Sequence, residues 1–217
     1  GGVLANVTGL EFIGFDTLIG TQGDDVFDLA GNNFSGLFDG LGQGSGGDEV
    51  TGSRSYEVTG NGSGSAGSNR QTALTNIENL TGTSGPDTFT LRSGSIARLA
   101  GLGGDDVFDI FAAVFTSLDG GAGAGDALNY ANAVTLDVRA TPFTNVETVN
   151  ANAVAGDTLA GASMYIFRTT TSVEANGDAS TQYNGFENVV GTTGDDVFDL
   201  AGNAYTGTID GLGDNQG

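Results

Sequence analysis

The sequence predicts an all-β protein, a parallel β-solenoid (a β-helix or β-roll) of about ten coils of about 20 residues each. Three observations predict this fold. A phrase rich in glycine and aspartate recurs along the chain, its copies lie at spacings related to about 20 residues, and the apolar residues beside it alternate as in a strand. Helix is predicted nowhere, because glycine or another helix breaker interrupts nearly every window of about 10 residues.

The strongest repeat is GTQGDDVFDLAGN, which begins at Gly20 and returns as GTTGDDVFDLAGN at Gly191. Partial or looser copies are GTSGPDTFTL, GLGGDDVFDI, QGSGGDEV, GAGAGDAL and NAVAGDTL, which begin at Gly82, Gly101, Gln43, Gly121 and Asn152. The repeated aspartates are Asp25, Asp48, Asp87, Asp106, Asp126, Asp157 and Asp196. Most gaps between them are one or two multiples of about 20 residues, which is typical of a coiled repeat architecture. Gly177-Asp178 stands where a missing coil should turn, and the longer gap after Asp126 predicts an enlarged coil.

A second phrase predicts a second strand in each coil. It reads FDTL, IENL, VETV and FENV, beginning at Phe15, Ile77, Val146 and Phe186. In the first phrase, the alternation of DVFDL sends Phe27 and Leu29 to one face and Val26 and Asp28 to the other, as in a half-buried strand.

The repeats predict a single module over residues 1–217. The polar segment TGNGSGSAGSNRQ, residues 59–71, is predicted to be a flexible loop that leaves one coil. Neither end carries an obvious polar cap, so we expect the module to associate with itself end to end in a fibre.

Composition excludes several classes of function. The chain has 27 acidic residues against six basic ones, no histidine and no cysteine, and a formal charge of −21. Nucleic acid is not an expected partner, because such a surface repels it. Membrane insertion is not expected, because no apolar run approaches the length of a span. Disulfides and thiolate metal sites are excluded by the absence of cysteine.

The aspartates are candidate Ca²⁺ ligands. Stacked coils would align equal charges on neighbouring strands, which is destabilising. A divalent cation would remove that penalty, with carbonyl groups of the glycine-rich turns as further ligands. The candidate metal ligands are Asp24, Asp25, Asp48, Asp87, Asp105, Asp106, Asp126, Asp157, Asp195 and Asp196. The alternative is that each Asp only hydrogen-bonds to backbone amides of its own turn.

The first phrase resembles the nonapeptide GGxGxDxUx of the calcium-binding RTX β-rolls. In GLGGDDVF the first and fourth glycines, Asp106 and Phe108 match, and Leu102 replaces the second glycine. One copy occurs per coil here, whereas RTX repeats run in tandem. The sequence is therefore most similar to the degenerate repeat arrays of giant bacterial surface and matrix proteins. That resemblance implies an extracellular location at the bacterial cell surface, bound Ca²⁺ and a structural function in a filament, matrix or adhesin.

No enzymatic activity is expected. Pairs such as Asp24 and Asp25 are adjacent on a strand and face opposite ways, so they do not converge as a hydrolase pair. Two alternatives to the structural module are a Ca²⁺-dependent ice-binding solenoid and an accessory module of a secreted enzyme. The ice-binding reading rests on Thr21, Thr83 and Thr192 of the GTxG turns. An extracellular polysaccharide is a further candidate partner, on a face formed by Tyr56, Tyr130, Tyr165, Tyr183 and Tyr205.

Overall fold

The computed structural model describes residues 14–42, 44–152 and 155–213. Within these ranges the chain is all β, with 21 strands and no helix. The strands are β1 (Thr17–Ile19), β2 (Val26–Asp28), β3 (Gly36–Asp39), β4 (Glu49–Thr51), β5 (Ser55–Gly60), β6 (Ser63–Ala66), β7 (Thr72–Thr75), β8 (Asn79–Thr81), β9 (Thr88–Ala100), β10 (Val107–Asp119), β11 (Ala127–Tyr130), β12 (Thr135–Asp137), β13 (Phe143–Thr144), β14 (Thr148–Asn150), β15 (Thr158–Ala160), β16 (Met164–Phe167), β17 (Ser172–Ala175), β18 (Asp178–Asn184), β19 (Asn188–Val190), β20 (Val197–Asp199) and β21 (Thr208–Asp210). Nowhere in the described part of the chain is there a helix that could cross a membrane.

Most strands pair in parallel with a strand one return of the chain away. Val107 lies opposite Thr88, and Ala127 lies opposite Val107, so the chain regains its register after 19 and then 20 residues. Hydrogen bonds join the strands into a 17-stranded sheet and a four-stranded sheet made of β12, β15, β19 and β21. The all-β class and the mostly parallel pairing are therefore confirmed.

Two rows of parallel strands position most of the repeated aspartates, whereas Asp157 precedes β15 of the four-stranded sheet and Asp196 precedes β20. One row runs through β5, β9, β10, β11, β14 and β18. The other runs through β2, β4, β8, the C-terminal parts of β9 and β10, and β13. Because equivalent residues lie opposite one another in each row, chemically similar side chains stack along it.

The core is a stack of apolar side chains that follows the predicted alternation. Tyr56 stacks on Phe89 with ring centroids 5.1 Å apart, and Phe89 stacks on Phe108 at 4.8 Å. Leu29 is buried, whereas Val26 is 65% exposed, as the sequence predicted for the two faces of β2. Offset stacking of aromatic rings contributes stability beyond the burial of their area.

Residues 59–71 contain regular structure, in contrast to the predicted loop. Strand β6 pairs antiparallel with β5 on one side and with β7 on the other. Its Ala66 is fully buried, and Arg70 forms an ion pair of 2.9 Å with Glu57 of β5. Small polar residues adopt a strand here because two flanking strands satisfy their backbone groups.

A second excursion of the same kind is formed by β16, β17 and β18, all antiparallel. Its turn is made by Asn176 and Gly177, whose φ angles are +54° and +71°, as a two-residue hairpin of this hand requires. Gly177-Asp178 therefore belongs to a hairpin, and its interpretation as a coil turn is wrong. The two excursions account for the longest gaps between repeats.

The tyrosines belong to the core rather than to a surface. Tyr56, Tyr165 and Tyr183 are buried, and Tyr130 and Tyr205 pack against the core. The Tyr56 hydroxyl donates a 2.6 Å hydrogen bond to the Thr81 carbonyl oxygen, which satisfies its polar end inside the protein. The expected tyrosine face for a polysaccharide is wrong.

The terminal segments on which the expectation of end-to-end association was based, residues 1–13 and 214–217, lie outside the described residues. Gln43 of one loose phrase and residues 153–154 of another also lie outside them.

Candidate functional site

The repeated aspartates form rows in which each backbone amide is bound by the carboxylate of the next return. The Asp87 N–H donates to Asp106 Oδ1 at 2.8 Å, and the Asp106 N–H donates to Asp126 Oδ1 at 2.7 Å. The Asp126 N–H then donates to Glu147 Oε2 at 2.8 Å. In the other direction, the Val107 N–H donates to the Asp87 carbonyl oxygen at 2.9 Å. Neighbouring members of the row are thus connected both by a main-chain hydrogen bond and by a side-chain hydrogen bond.

Two more carboxylate rows have the same construction, and the three are numbered in chain order, so that the row through Asp87, Asp106, Asp126 and Glu147 is the second. In the first row, the Asp25 N–H donates to Asp48 Oδ1 at 2.7 Å and the Asp48 N–H to Glu78 Oε2 at 2.9 Å. In the third row, the Asp157 N–H donates to Glu187 Oε2 at 2.9 Å. The single series of aspartates seen in the sequence is therefore divided among three rows, with Asp196 outside them.

Three aspartates are also bound within their own turn by the threonine of GTxG. Asp25 Oδ2 accepts hydrogen bonds from the Thr21 amide at 2.6 Å and its hydroxyl at 3.0 Å. The Thr83 and Thr192 turns bind Asp87 and Asp196 in the same way. These hydroxyls are engaged inside the turn, which removes the observation that favoured an ice-binding threonine face.

The other aspartates have no such threonine, and one oxygen of each is left without a partner. The buried Oδ2 atoms of Asp48, Asp106, Asp126 and Asp157 make no hydrogen bond to the described part of the chain. All four residues are fully buried, and Asp87 is 2% exposed. A buried carboxylate oxygen without a donor is costly when it is charged.

Burial raises the pKa of these carboxyl groups above the ordinary range. For Asp106 desolvation is the largest cause, and the neighbouring Asp87, Asp126 and Asp105 charges add to it, so that its pKa lies at about 7. The pKa values of Asp48, Asp87, Asp126 and Asp157 are also raised, in each case mainly by burial. At neutral pH the rows therefore favour a proton or a cation at these groups.

In the phrases that begin at Gly20, Gly82, Gly101 and Gly191, the first glycine lets the carboxylate lie against the main chain. A Cβ atom on Gly101 would stand 2.0 Å from Asp106 Oδ2 and 2.3 Å from the Gly120 carbonyl oxygen. A Cβ atom on Gly82 would stand 2.3 Å from Asp87 Oδ2. Neither glycine has a positive φ angle, so close approach, rather than backbone conformation, requires glycine here.

The aspartates that precede the row residues point to other partners. Asp24 is exposed, and its two carboxylate oxygens accept the amides of Gly47 at 2.8 Å and Gly46 at 3.0 Å. Asp105 is exposed and accepts the Ala124 amide at 3.2 Å. Asp195 is exposed as well. The structure therefore does not gather these three with the buried row oxygens.

Some of the oxygen atoms beside the row aspartates are of the type that Ca²⁺ binds. The unpartnered Asp106 oxygen and the Gly120 carbonyl oxygen approach one point beside Gly101, and both are the hard oxygen ligands that Ca²⁺ prefers. Across the described ranges, no three acidic side chains come together as a metal-binding group. The chemical type of these oxygens thus suits a Ca²⁺ ion. Because too few acidic side chains converge, backbone carbonyl groups would have to complete the coordination shell.

Sequence reasoning missed three members of the rows. Glu78, Glu147 and Glu187 each accept the amide of a row aspartate. The signal was present, because each is the acidic residue of the second phrase, IENL, VETV or FENV. The longer glutamate side chain takes the position that aspartate takes elsewhere in the row.

Comparisons of the chain with protein-family models, curated proteins and solved structures found no match.

Proposed function

We propose that the chain is a non-enzymatic structural repeat module of an extracellular bacterial filament, matrix or adhesin protein, built as a parallel β-solenoid. The solenoid reading is supported by the parallel register that returns after 19 or 20 residues and by the apolar stack inside it. The location is supported by the resemblance of the phrases to RTX-like repeats of giant bacterial surface and matrix proteins.

The observation that carries the proposal is the set of carboxylate rows. A row repeats one interaction at every return of the chain, as a scaffold does, whereas a catalytic site brings different groups together once. Asp24 and Asp25 illustrate the difference, because Asp24 binds turn amides on the exposed side and Asp25 binds Thr21. The carboxylate oxygens of Asp24 and those of Asp25 therefore bind different groups and do not converge on one substrate position.

End-to-end association is part of the proposal and is supported by the last described turn. The phrase at Gly191 is nearly identical to that at Gly20, so Asp196 corresponds to Asp25. The Asp25 amide is bound by Asp48, whereas the Asp196 amide makes no hydrogen bond to the described residues. Strand β20 pairs on one side, with β16, and β21 pairs with β19. Such strand edges accept a further strand, which can belong to a continuation of the same chain or to a second copy.

Sedimentation velocity and electron microscopy over a range of protein concentrations test this association. We expect a concentration-dependent series of linear assemblies whose width stays that of one molecule. A protein that remains monomeric at high concentration would reject end-to-end association. A circular dichroism spectrum dominated by helix would reject the solenoid itself.

We further propose that Ca²⁺ stabilises the module. Asp48, Asp106, Asp126 and Asp157 would hold the ion through their unpartnered oxygens, together with turn carbonyls such as that of Gly120. When bound, Ca²⁺ would supply the positive charge that the buried rows lack. The raised pKa values of these carboxyl groups support the need for such a charge.

A further inference from the structure

Arg54 differs from the other five arginines in making no ion pair with the described residues, although its charge acts on Asp87 and lowers the pKa of that carboxyl group. Arg70, Arg92, Arg98, Arg139 and Arg168 each form an ion pair with a glutamate or an aspartate. In a chain with a formal charge of −21, a guanidinium without a contact ion pair is unusual. The side chain of Arg54 is exposed and makes no hydrogen bond to the described residues.

Arg54 lines an open pocket of about 540 Å³ together with the turn Thr83, Ser84 and Gly85 and the backbone of Gly52. Ser84 is exposed, and neither its amide nor its hydroxyl makes a hydrogen bond to the described residues. The Thr83 amide and hydroxyl, in contrast, are used by Asp87. The hydrogen-bond donors left for a ligand are therefore the Arg54 guanidinium and the Ser84 amide and hydroxyl.

The fold does not require a cation at this position. Arg54 immediately precedes β5 and its carbonyl oxygen accepts the Thr88 amide, just as Ser163 precedes β16 and its carbonyl oxygen accepts the Val197 amide. Tyr56 and Tyr165, two residues later in each excursion, make the same stacking contacts, on Phe89 and Phe198. The equivalent place in the second excursion thus works with a serine. The structural reason for Arg54, partial compensation of Asp87, does not use the Ser84 donors.

From this geometry we propose that the Arg54 pocket binds the carboxylate of an acidic saccharide such as a uronic acid. A guanidinium recognises a carboxylate through two parallel hydrogen bonds. The pocket wall consists of glycine, serine, threonine and Ala30, with no aromatic or long aliphatic side chain that would anchor an apolar ligand. Sugar hydroxyls suit such a wall, since Ser84 Oγ can both donate and accept. Asp28, whose Oδ1 binds the Ala30 amide beside the pocket, lowers the affinity for an anion.

Amide chemical-shift titration of the isotopically labelled protein tests the site with three probes: glucuronate, glucose and acetate. We expect saturable shifts at Ser84 and Gly85 with glucuronate, about tenfold weaker binding of acetate, and no binding of glucose. Equal binding of glucose would overturn recognition of the carboxylate. Equal binding of acetate would overturn the assignment to a saccharide.

Two matched variants locate the effect. Arg54→Gln should weaken glucuronate binding by at least about tenfold, the cost of losing a charge-assisted pair. Arg139→Gln removes another exposed guanidinium, one that is already paired with Asp137, and it should leave binding unchanged. Unchanged binding in Arg54→Gln, with a melting temperature like that of the parent protein, would overturn the proposal. These titrations follow a small ligand, so their failure is distinct from a failure of end-to-end association.

Discussion

The Asp106 amide donates a 2.7 Å hydrogen bond to Asp126 Oδ1, and the Asp126 amide in turn donates a hydrogen bond to Glu147 Oε2. Each of these carboxylates therefore satisfies a buried N–H group and at the same time brings a negative charge close to the next one. The hydrogen bonds favour the charged form, whereas burial and the neighbouring charges disfavour it. A proton or a cation bound at these carboxylates would therefore stabilise the row, because it would remove the buried negative charge.

The proposed binding of Ca²⁺ predicts a metal-dependent melting temperature. Millimolar Ca²⁺ should raise the melting temperature relative to a chelator, because the ion binds the folded state alone. Asp106→Asn should reduce this rise, since it removes a charged ligand. Asp178→Asn, in an exposed hairpin residue whose Oδ1 caps Ser180, is the matched control and should keep it. Melting curves of the parent protein that coincide in chelator and Ca²⁺ would reject the metal.

In chelator, the raised pKa of Asp106 predicts that stability falls as pH rises. The pKa of Asp106 in the folded state is about 7, above the ordinary value of 3.8, so between these two values the folded state holds a proton that the unfolded state has released. This contribution is complete below about pH 4 and is lost as pH approaches 7. Asp48, Asp87, Asp126 and Asp157 shift in the same direction.

Thermal melts in chelator from pH 5 to pH 8 measure this dependence. Asp106→Asn should flatten the profile and melt above the parent protein at pH 8, because its amide is neutral and offers a donor toward the Gly120 carbonyl oxygen. A melting temperature that increases from pH 5 to pH 8 would contradict the direction of these shifts.

The core could be predicted from the sequence because its signal is local. The alternation in DVFDL places Phe108 inside, and Phe108 is fully buried on Phe89. Strand β6 could not be predicted, because SGSA has no apolar period and becomes a strand only between β5 and β7. Tyr165 could not be aligned with Phe198 either, because strands β17 and β18 of the antiparallel excursion lie between the two residues and lengthen the repeat.

The aspartates of the site could be predicted from the sequence, whereas the glutamates could not. Asp106 and Asp126 share a residue type and a phrase, so their equivalence is visible in the sequence. Glu147 performs the same function with a different side chain in a different phrase, and only the register of β14 against β11 reveals it. Division into three rows also depends on that register, because the sequence spacing alone places all the aspartates in one series.

Glu147 provides a test of the rows that is independent of metal. Glu147→Ala should lower the free energy of unfolding by about 1–3 kcal/mol, because the buried Asp126 amide loses its acceptor. Glu147→Gln keeps an oxygen acceptor and removes a charge that raises the pKa of Asp126, so it should match the parent protein or exceed it. Urea denaturation measures both variants. Equal losses in Ala and Gln variants would mean that charge, rather than the hydrogen bond, carries the effect.

Gly101 tests the close approach of carboxylate and main chain. In Gly101→Ala the new methyl group would stand 2.0 Å from Asp106 Oδ2 and 2.3 Å from the Gly120 carbonyl oxygen, so the backbone or the row must move. The cost of such overpacking is about 1–3 kcal/mol. Gly42→Ala is the matched control, because no atom of the described residues lies within 4 Å of its added methyl group and its φ angle is not positive. We expect urea denaturation to show a clear loss for Gly101→Ala and little change for Gly42→Ala. If the two variants were equally stable, the close contact between the Asp106 carboxylate and the Gly101 backbone would be wrong.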